Sequence, residues 1–561
     1  MRPAPEPIDR GAAFLGFAVI VLANLRYLAG LARTLDPVLE MEPYYIDLAK
    51  RPLVAILGQN PTWGPLYALW LRPFRLVLAD PLRVYAANVH ALSIGLSVAV
   101  YAYALLSTRR AAVATGAALF FLISDFNVPL ASKVCAFALG VVLAGLALSE
   151  LATRRERRTA IAAGGILLAS YARPELFPAG LCVWLAAVWM ARGHLRERGT
   201  LGWALGGTAI ILAAAATIGT PIWSPHHHDA RLVDAFREHF AWNWTRWTGE
   251  PGYYLTIWQR EFGAADGVLA AIRANPAAVA RHVADNAAGI GRVLLGTTFA
   301  HYPLLVPPTW PVIATLEMLA LSAASLACVA MVSIRRELRA VAVRQYGHAG
   351  IVFLALAVFP LGGAAVVYPN IHYLIVPAAC VLLVTVFALA ILVPAPSIAS
   401  PWHRAAVALA CLLAVPTPFV LPTEHFSGRR APLAELTPTH AVTDAIRRIR
   451  ALDLPRPTHV LTFNDGLGEL LGDGFEERKI WQRGATPLKT YLEDQHIDVI
   501  VTLDPGRYSF RVDDPYWETI QLEPTATGFA PVAAPEGARA RIWVRAAASG
   551  APEPARPAQR R

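Results

Sequence analysis

The stretch AAFLGFAVIVLANLRYLAGL, residues 12–31, is an almost unbroken apolar run near the start of the chain. A helix of this length crosses the hydrocarbon core of a bilayer, which is ~30 Å thick. The run is longer than the apolar region of a signal peptide, and no small-residue cleavage signal clearly follows it. It is therefore expected to be an uncleaved membrane anchor.

Similar runs recur along the chain, which is 55% hydrophobic and only 16% charged and has a mean hydropathy of +0.43. These values are typical of a polytopic membrane protein. The sequence predicts a polytopic α-helical membrane protein with about eleven transmembrane helices. The predicted spans are 12–31, 82–106, 111–124, 135–152, 159–172, 175–191, 201–219, 311–334, 349–367, 371–394 and 404–421.

Basic residues between the spans predict the orientation. Arginine clusters at 109–110, 154–158, 192–198 and 335–344 all fall on one side, together with the N-terminus. Positive charge of this kind marks the cytoplasmic side. The segments 33–81 and 220–310, and everything after 422, are then expected outside.

The net charge of +10 is accordingly a topology signal, and it does not indicate nucleic acid as a partner, because the basic clusters are divided among short loops. All five cysteines lie in predicted spans, which excludes a disulfide framework and a CxxC zinc site. We expect them to be small packing residues. They are Cys135, Cys182, Cys328, Cys380 and Cys411.

The first outer loop opens with residues 35–51, LDPVLEMEPYYIDLAKR, which places carboxylates beside cations. A carboxylate at a bilayer surface can act as a general base, and nearby cations suit a phosphate. An ordinary polar loop between two helices would have the same composition. The candidate catalytic acids are Glu42, Glu40 and Asp47, the candidate phosphate-binding cations are Lys50 and Arg51, and the candidate substrate-binding tyrosines are Tyr44 and Tyr45.

The same loop continues through residues 63–75, where aromatic and apolar residues recur at helical spacing, with Arg72 and Arg75 near the end. This pattern favours a helix lying in the headgroup region with its aromatic face inward. The core helix of a soluble domain would show the same pattern, but the position between two spans favours the interface.

Four short motifs resemble the GT-C glycosyltransferases, in particular the group of protein O-mannosyltransferases and lipid A aminoarabinose transferases. The resemblance covers roughly residues 10–395. Where the family has Asp-Glu this chain has Met41-Glu42, so the base is Glu42 or Glu40, and His372 stands where the family often has arginine. The motifs are EMEPYY at 40–45, PLY at 65–67, YARPE at 171–175 and YPNIHYLIVP at 368–377.

The resemblance implies an inverting glycosyltransferase that moves a sugar from a polyprenyl-phosphate donor to a lipid, glycan or protein acceptor at the outer face. A transporter or flippase of a lipid-linked anion is the alternative, although the chain shows no convincing internal repeat. Asp125 and Lys133 could instead simply flank helix ends, and Arg173 and Glu175 could form a helix-capping ion pair. The residues implied for phosphate are Lys133, Arg173 and His372, and those implied for substrate are Tyr67, Asp125, Glu175 and Tyr373.

The 220–310 segment is expected to form a lid, with an amphipathic helix at 275–295 covering the site. Its run His226-His227-His228-Asp229 could bind a metal, but adjacent side chains rarely point at one ion. No metal ligand set or cofactor is therefore assigned, and a divalent ion stays possible.

The segment 422–546 changes character and predicts a small extramembrane α/β domain outside the membrane. Strand-like runs at 459–463, 497–503 and 541–544 alternate with helical stretches at 439–451 and 487–495. The turn at 464–468 lacks the glycine pattern of a nucleotide site. Residues 547–561 are expected to be disordered. The alanine- and arginine-rich composition favours a bacterial inner membrane as the location.

Overall fold

The fold was analysed in a computed structural model of the chain. Two described parts recur below: a helical part, residues 8–393, and a tail unit, residues 441–546. The structure describes residues 8–34, 37, 39, 42–58, 64–124, 133–194, 197–221, 228–250, 254–299, 311–393, 441–463, 466–484, 486–503, 514–534, 538 and 540–546.

The helical part consists of seventeen described α-helices. They are α1 (Arg10–Thr34), α2 (Glu42–Leu48), α3 (Leu53–Gly58), α4 (Leu66–Val77), α5 (Pro81–Thr108), α6 (Ala111–Ile123), α7 (Lys133–Ser149), α8 (Arg155–Ser170), α9 (Leu176–Ala191), α10 (Arg198–Thr217), α11 (His228–Thr248), α12 (Tyr254–Phe262), α13 (Val268–Ala274), α14 (Pro276–Phe299), α15 (Pro311–Ile334), α16 (Arg336–Val366) and α17 (Ile371–Leu392).

The predicted spans up to residue 394 each coincide with one of these helices, and the span predicted at 404–421 lies outside the described residues. Among the residues described, five helices are long and apolar enough to cross a membrane: α5, α9, α10, α16 and α17. Shorter apolar helices include α6 and α7. The chain is therefore a mostly helical protein with membrane-type helices, and the number of eleven spans stays a prediction.

The described residues of the segment 33–81 include the short helices α2, α3 and α4. The helix predicted from the aromatic spacing is α4, and its buried residues Tyr67, Ala68 and Leu71 pack in the main hydrophobic core. The next helix begins where the Asp80 side chain accepts a hydrogen bond from the Leu82 N–H, at 3.2 Å. Pro81 follows that cap at the first helical position, where its missing N–H costs nothing.

The helices α7, α8 and α9 pack side by side, and α16 lies against both α9 and α17. Helix α14, from the segment between α10 and α15, packs on α16 and α17. One hydrophobic cluster runs through these elements and continues into the tail unit, where it includes Ile446, Leu467 and Val499. The tail unit is thus packed against the helical part at residues that both share.

The tail unit is a mixed five-stranded sheet with helices. The strand order is β2-β1-β3-β5-β4, with β1 parallel to β2 and β3, and with β5 antiparallel to β3 and β4. Its elements are α18 (Ala441–Ala451), β1 (Thr458–Thr462), α19 (Leu467–Leu471), β2 (Phe475–Lys479), α20 (Leu488–Asp494), β3 (Val499–Thr502), α21 (Pro515–Leu522), β4 (Phe529–Pro531) and β5 (Arg541–Arg545).

The three strands and two helices predicted from the tail sequence are confirmed as β1, β3, β5, α18 and α20. The sheet also contains β2 and β4, which were not predicted. The sequence of β2 is FEERK, whose charges are those of an edge strand rather than of a buried one. The segment 547–561, expected to be disordered, lies outside the described residues.

Candidate functional site

Glu42 occupies the first turn of α2 and is buried, with 1% of its surface exposed. Its Oε1 accepts a hydrogen bond from the backbone N–H of Lys133 at 2.7 Å. Lys133 is the first residue of α7, where N–H groups lack partners within the helix and favour a negative charge. The acid proposed from the sequence therefore lies against the start of α7, 91 residues further along the chain.

Lys133 is itself buried, with 2% of its surface exposed. Its ammonium nitrogen lies 5.7 Å from the centre of the Tyr85 ring. The face of an aromatic ring attracts a cation, which offsets part of the cost of burying it. A buried lysine and a buried carboxylate thus lie at the same helix start.

The tyrosines near Glu42 pack against one another. The ring centres of Tyr45 and Tyr67 are 5.3 Å apart, and both side chains are fully buried. Asn88 donates a hydrogen bond to the Tyr67 hydroxyl at 2.7 Å. Burial, and then the charge of Glu42, raises the pKa of Tyr67 well above its usual value, so this phenol stays protonated. Tyr44 is half-buried beside them, and burial raises its pKa.

At the other end of α2 lie Asp47, Lys50 and Arg51. Their side chains form ion pairs with one another and, through Lys50, with the tail unit. The Lys50 ammonium lies 2.9 Å from Asp473 and 3.3 Å from Asp47. Arg51 lies 3.4 Å from the second oxygen of Asp47. These side chains are partly exposed, where an ion pair contributes only about 0–1 kcal/mol. The structure therefore gives Lys50 a contact with the tail unit, whereas Arg51 forms an ion pair with Asp47 of α2.

Arg173 lies on the turn between α8 and α9 and is buried, with 3% of its surface exposed. Its Nε donates to Glu175 at 2.5 Å, and its Nη1 donates to the sulfur of Cys135 at 2.8 Å. Its guanidinium carbon is 5.2 Å from the centre of the Tyr373 ring. The ion pair with Glu175 is present, as the plainer sequence interpretation allowed.

A cleft opens beside this arginine, between α7, α9, α16 and α17. Arg173, Glu175, His372 and Tyr373 line it, together with apolar residues that include Pro360. The rings of His372 and Tyr373 are 4.2 Å apart, centre to centre. Four residues named from the sequence for phosphate or substrate thus line one cleft.

The first turn of α7 connects the cleft to Glu42. The backbone N–H of Lys133 binds Glu42, and two residues later the Cys135 sulfur accepts from Arg173. Cys135 was expected to be a small apolar packing residue, and its contact with a buried arginine makes that interpretation incomplete. The sequence offered no signal for this contact, because a cysteine inside an apolar run resembles any small core residue.

Two of the sequence motifs also touch each other. The N–H of Leu66 donates to the carbonyl of Tyr171 at 3.2 Å, which joins the PLY and YARPE segments. Gly64 lies directly on the same carbonyl: a Cβ there would overlap Tyr171. The first outer loop and the α8–α9 turn are therefore neighbours.

The tail unit rests on α2 through the turn that precedes α19. Gly466 has a φ of 101°, and a Cβ at this position would lie 2.7 Å from Pro43. The Glu477 carboxylate holds the turn by accepting from the N–H groups of Gly466 and Leu467, at 3.0 and 3.1 Å. Burial, and then the Glu469 carboxyl, raises the pKa of Glu477 to about 7.

Some of the candidate residues have no described placement. Glu40 and Asp125 lie outside the described residues, as do His226 and His227 of the histidine run. Within the described ranges, no group of three or more His, Cys, Asp or Glu side chains is arranged to hold a metal ion. The possible divalent ion thus stays untested.

Comparisons with known proteins do not identify a family for this chain. No protein-family model matches the chain, and a search of curated proteins gives no significant match. The functional argument therefore depends on the site alone.

Proposed function

We propose that this chain is a membrane glycosyltransferase that moves a sugar from a polyprenyl-phosphate donor to an acceptor at the outer face of the membrane, with inversion. The observation that carries the proposal is the convergence at the first turn of α7. Lys133 belongs to that turn, and Glu42 and Arg173, from two distant segments, both contact it.

The chemistry assigns a role to each group. The acceptor hydroxyl oxygen attacks the anomeric carbon while its proton passes to the Glu42 carboxylate, which acts as general base. The bond from that carbon to the phosphate oxygen breaks, and its electron pair leaves with polyprenyl phosphate. The cations Lys133 and Arg173, with His372 as a further donor, stabilise the charge that develops there.

The positions of the charged segments support the proposed orientation. The tail unit contacts α2 and the start of α5, where Arg450 lies 3.2 Å from Asp80. At the starts of α8 and α16, Arg155 donates to the carbonyl of Val343 at 3.3 Å. This contact between the arginine-rich segments 154–158 and 335–344 supports the proposal that both lie on the cytoplasmic side. The proposed location is a bacterial inner membrane.

The decisive experiment gives purified wild type and Glu42→Gln a panel of polyprenyl-phosphate sugars with cell-envelope extract. Mass spectrometry measures the polyprenyl phosphate released. Loss of a general base lowers a rate by about 10²–10⁴-fold, so release by the variant should fall by at least about 100-fold. Glu476→Gln is the matched control, because Glu476 is an exposed glutamate on β2.

Equal release by wild type and Glu42→Gln would move the base elsewhere, with Glu40 the first candidate. No release across the panel, from a folded protein that binds the lipid, would contradict the enzyme and favour the transporter of a lipid-linked anion.

A further inference from the structure

The C-terminal end of α16 is bound by side chains from α14. The last carbonyls of a helix have no partner within it. The buried His282 places its Nε2 3.2 Å from the carbonyl oxygen of Val366 and 3.1 Å from that of Val367. Asn286 donates from Nδ2 to the carbonyls of Ala365 and Val367, at 3.1 and 3.2 Å.

The hydrogen bonds fix the protonation of the histidine. The two carbonyls favour a proton on Nε2, and Nδ1 then accepts from the Asn243 amide, 2.9 Å away. In this tautomer Asn286 Nδ2, 3.0 Å from Nε2, makes a close contact there and not a hydrogen bond. The same amide nitrogen of Asn243 donates to Asn286 Oδ1 at 2.9 Å. Burial lowers the pKa of His282 to about 4, and the ring is neutral at physiological pH. A neutral ring donates at one nitrogen and accepts at the other, as this arrangement requires.

The same face of α14 also touches the turn that follows α16. His282, Asn286 and Gly289 are spaced four and three residues apart, which puts them on one side of the helix. A Cβ at Gly289 would lie 3.0 Å from Pro369. One helix face thus binds Ala365, Val366 and Val367 and lies close to Pro369.

The contacted turn leads directly into the cleft. Asn370 precedes α17, and its carbonyl accepts from the Tyr373 N–H at 3.0 Å in the first turn of that helix. His372 and Tyr373 in this turn line the cleft, and the Tyr373 ring lies beside Arg173. Any displacement of Pro369 therefore moves the residues that face the arginine.

We infer that the α14 face formed by His282, Asn286 and Gly289 positions His372 and Tyr373 against Arg173. These three are positioning residues, because they act through the α16–α17 turn. The inference rests on the proposed function for its effect on catalysis, whereas the ordering of the turn stands on geometry alone.

The test compares Gly289→Ala with Gly291→Ala on the same helix. Nothing lies within 4 Å of a Cβ at Gly291, so that variant is the matched control. Both changes raise helix propensity, so neither should lower overall stability through the helix itself. Only Gly289→Ala pushes on Pro369.

Gly289→Ala should lower the turnover number for polyprenyl phosphate release by about tenfold or more, since a small misplacement in a reaction centre costs that much. The thermal stability of Gly289→Ala should stay near that of the wild type. Gly291→Ala should have a turnover number and a thermal stability near those of the wild type. Amide hydrogen exchange at residues 370–374 should accelerate in Gly289→Ala alone.

Identical exchange at residues 370–374 in both variants would overturn the inference whatever the activity. Faster exchange with a wild-type turnover number would overturn the positioning role and leave the proposed function intact. Absence of release by the wild type would overturn the proposed function and with it the catalytic role, and the exchange comparison would still decide whether α14 orders the turn.

Discussion

Replacing Glu477 by glutamine should remove a pH dependence from the stability of the tail unit. The Glu477 carboxyl lies under the turn that contacts α2, and burial beside Glu469 raises its pKa from 4.5 to about 7. Each unit of pKa corresponds to ~1.4 kcal/mol, so the shift is worth up to about 3 kcal/mol. A carboxyl with a raised folded-state pKa contributes stability that is complete below pH 4.5 and is lost as the pH rises through 7.

The wild type should therefore be less stable at pH 8 than at pH 5 by up to about 3 kcal/mol from this group. Glutamine carries no charge at either pH, and its oxygen can still accept from the N–H of Gly466. The variant should lose this component of the pH dependence. Hydrogen exchange of the amides of β1 and β3 measures the free energy of opening in this unit, in full-length protein in detergent.

The control is Glu476→Gln, one residue away on β2. Its carboxylate is half exposed and contacts Arg478 at 2.9 Å, so it should leave the Glu477 effect in place. Equal pH dependence in wild type and Glu477→Gln would refute the reasoning. Glu469→Gln offers a second check, because removing the neighbouring carboxyl should lower the pKa of Glu477.

Three further changes test other contacts. Arg173→Lys removes the fork that reaches two partners at once and should lower polyprenyl phosphate release by at least about tenfold in kinetic assays, with a normal thermal transition. Gly466→Ala combines a left-handed backbone with a clash against Pro43 and should cost about 1 kcal/mol or more, measured by thermal unfolding. Gly484→Ala, left-handed but without neighbours, should cost less. Lys50→Ala should shift stability by at most about 1 kcal/mol.

Each of these predictions has a contradicting result. Wild-type release by Arg173→Lys would remove the guanidinium fork from the mechanism. Equal unfolding midpoints for the two glycine variants would show that contact with Pro43 adds nothing. A loss of several kcal/mol in Lys50→Ala would make the exposed ion pair a main attachment of the tail unit.

The positions of the helices were predictable from the sequence because hydropathy and span length are local properties. The ten spans predicted up to residue 394 coincide with helices, and apolar strands such as β3 were recognised for the same reason. The charged strand β2 was missed because it is an edge strand with no buried residue, and its position in the sheet comes from pairing with β1. A local sequence pattern predicts a helix or strand when that helix or strand buries apolar residues of its own.

The candidate residues could be named from the sequence, but their spatial arrangement could not. Glu42 and Lys133 are 91 residues apart, and no local pattern joins them. From the sequence, Lys50 and Lys133 were equivalent candidates for binding phosphate. The structure pairs Lys50 with Asp473, at the contact with the tail unit. The face of α14 was predicted as an amphipathic helix, although its polar contacts to α16 depend on packing that only the fold defines.

The contact between the tail unit and α2 has a consequence for the order in which the protein is synthesised and folds. Pro43 meets Gly466, and Lys50 meets Asp473, 423 residues later in the chain. Synthesis runs from the N-terminus, so the helix carrying Glu42 leaves the ribosome long before the segment that packs on it. Helix α2 therefore gains these contacts only after the tail unit has been made and has folded, so its packing is completed late in the folding of the chain.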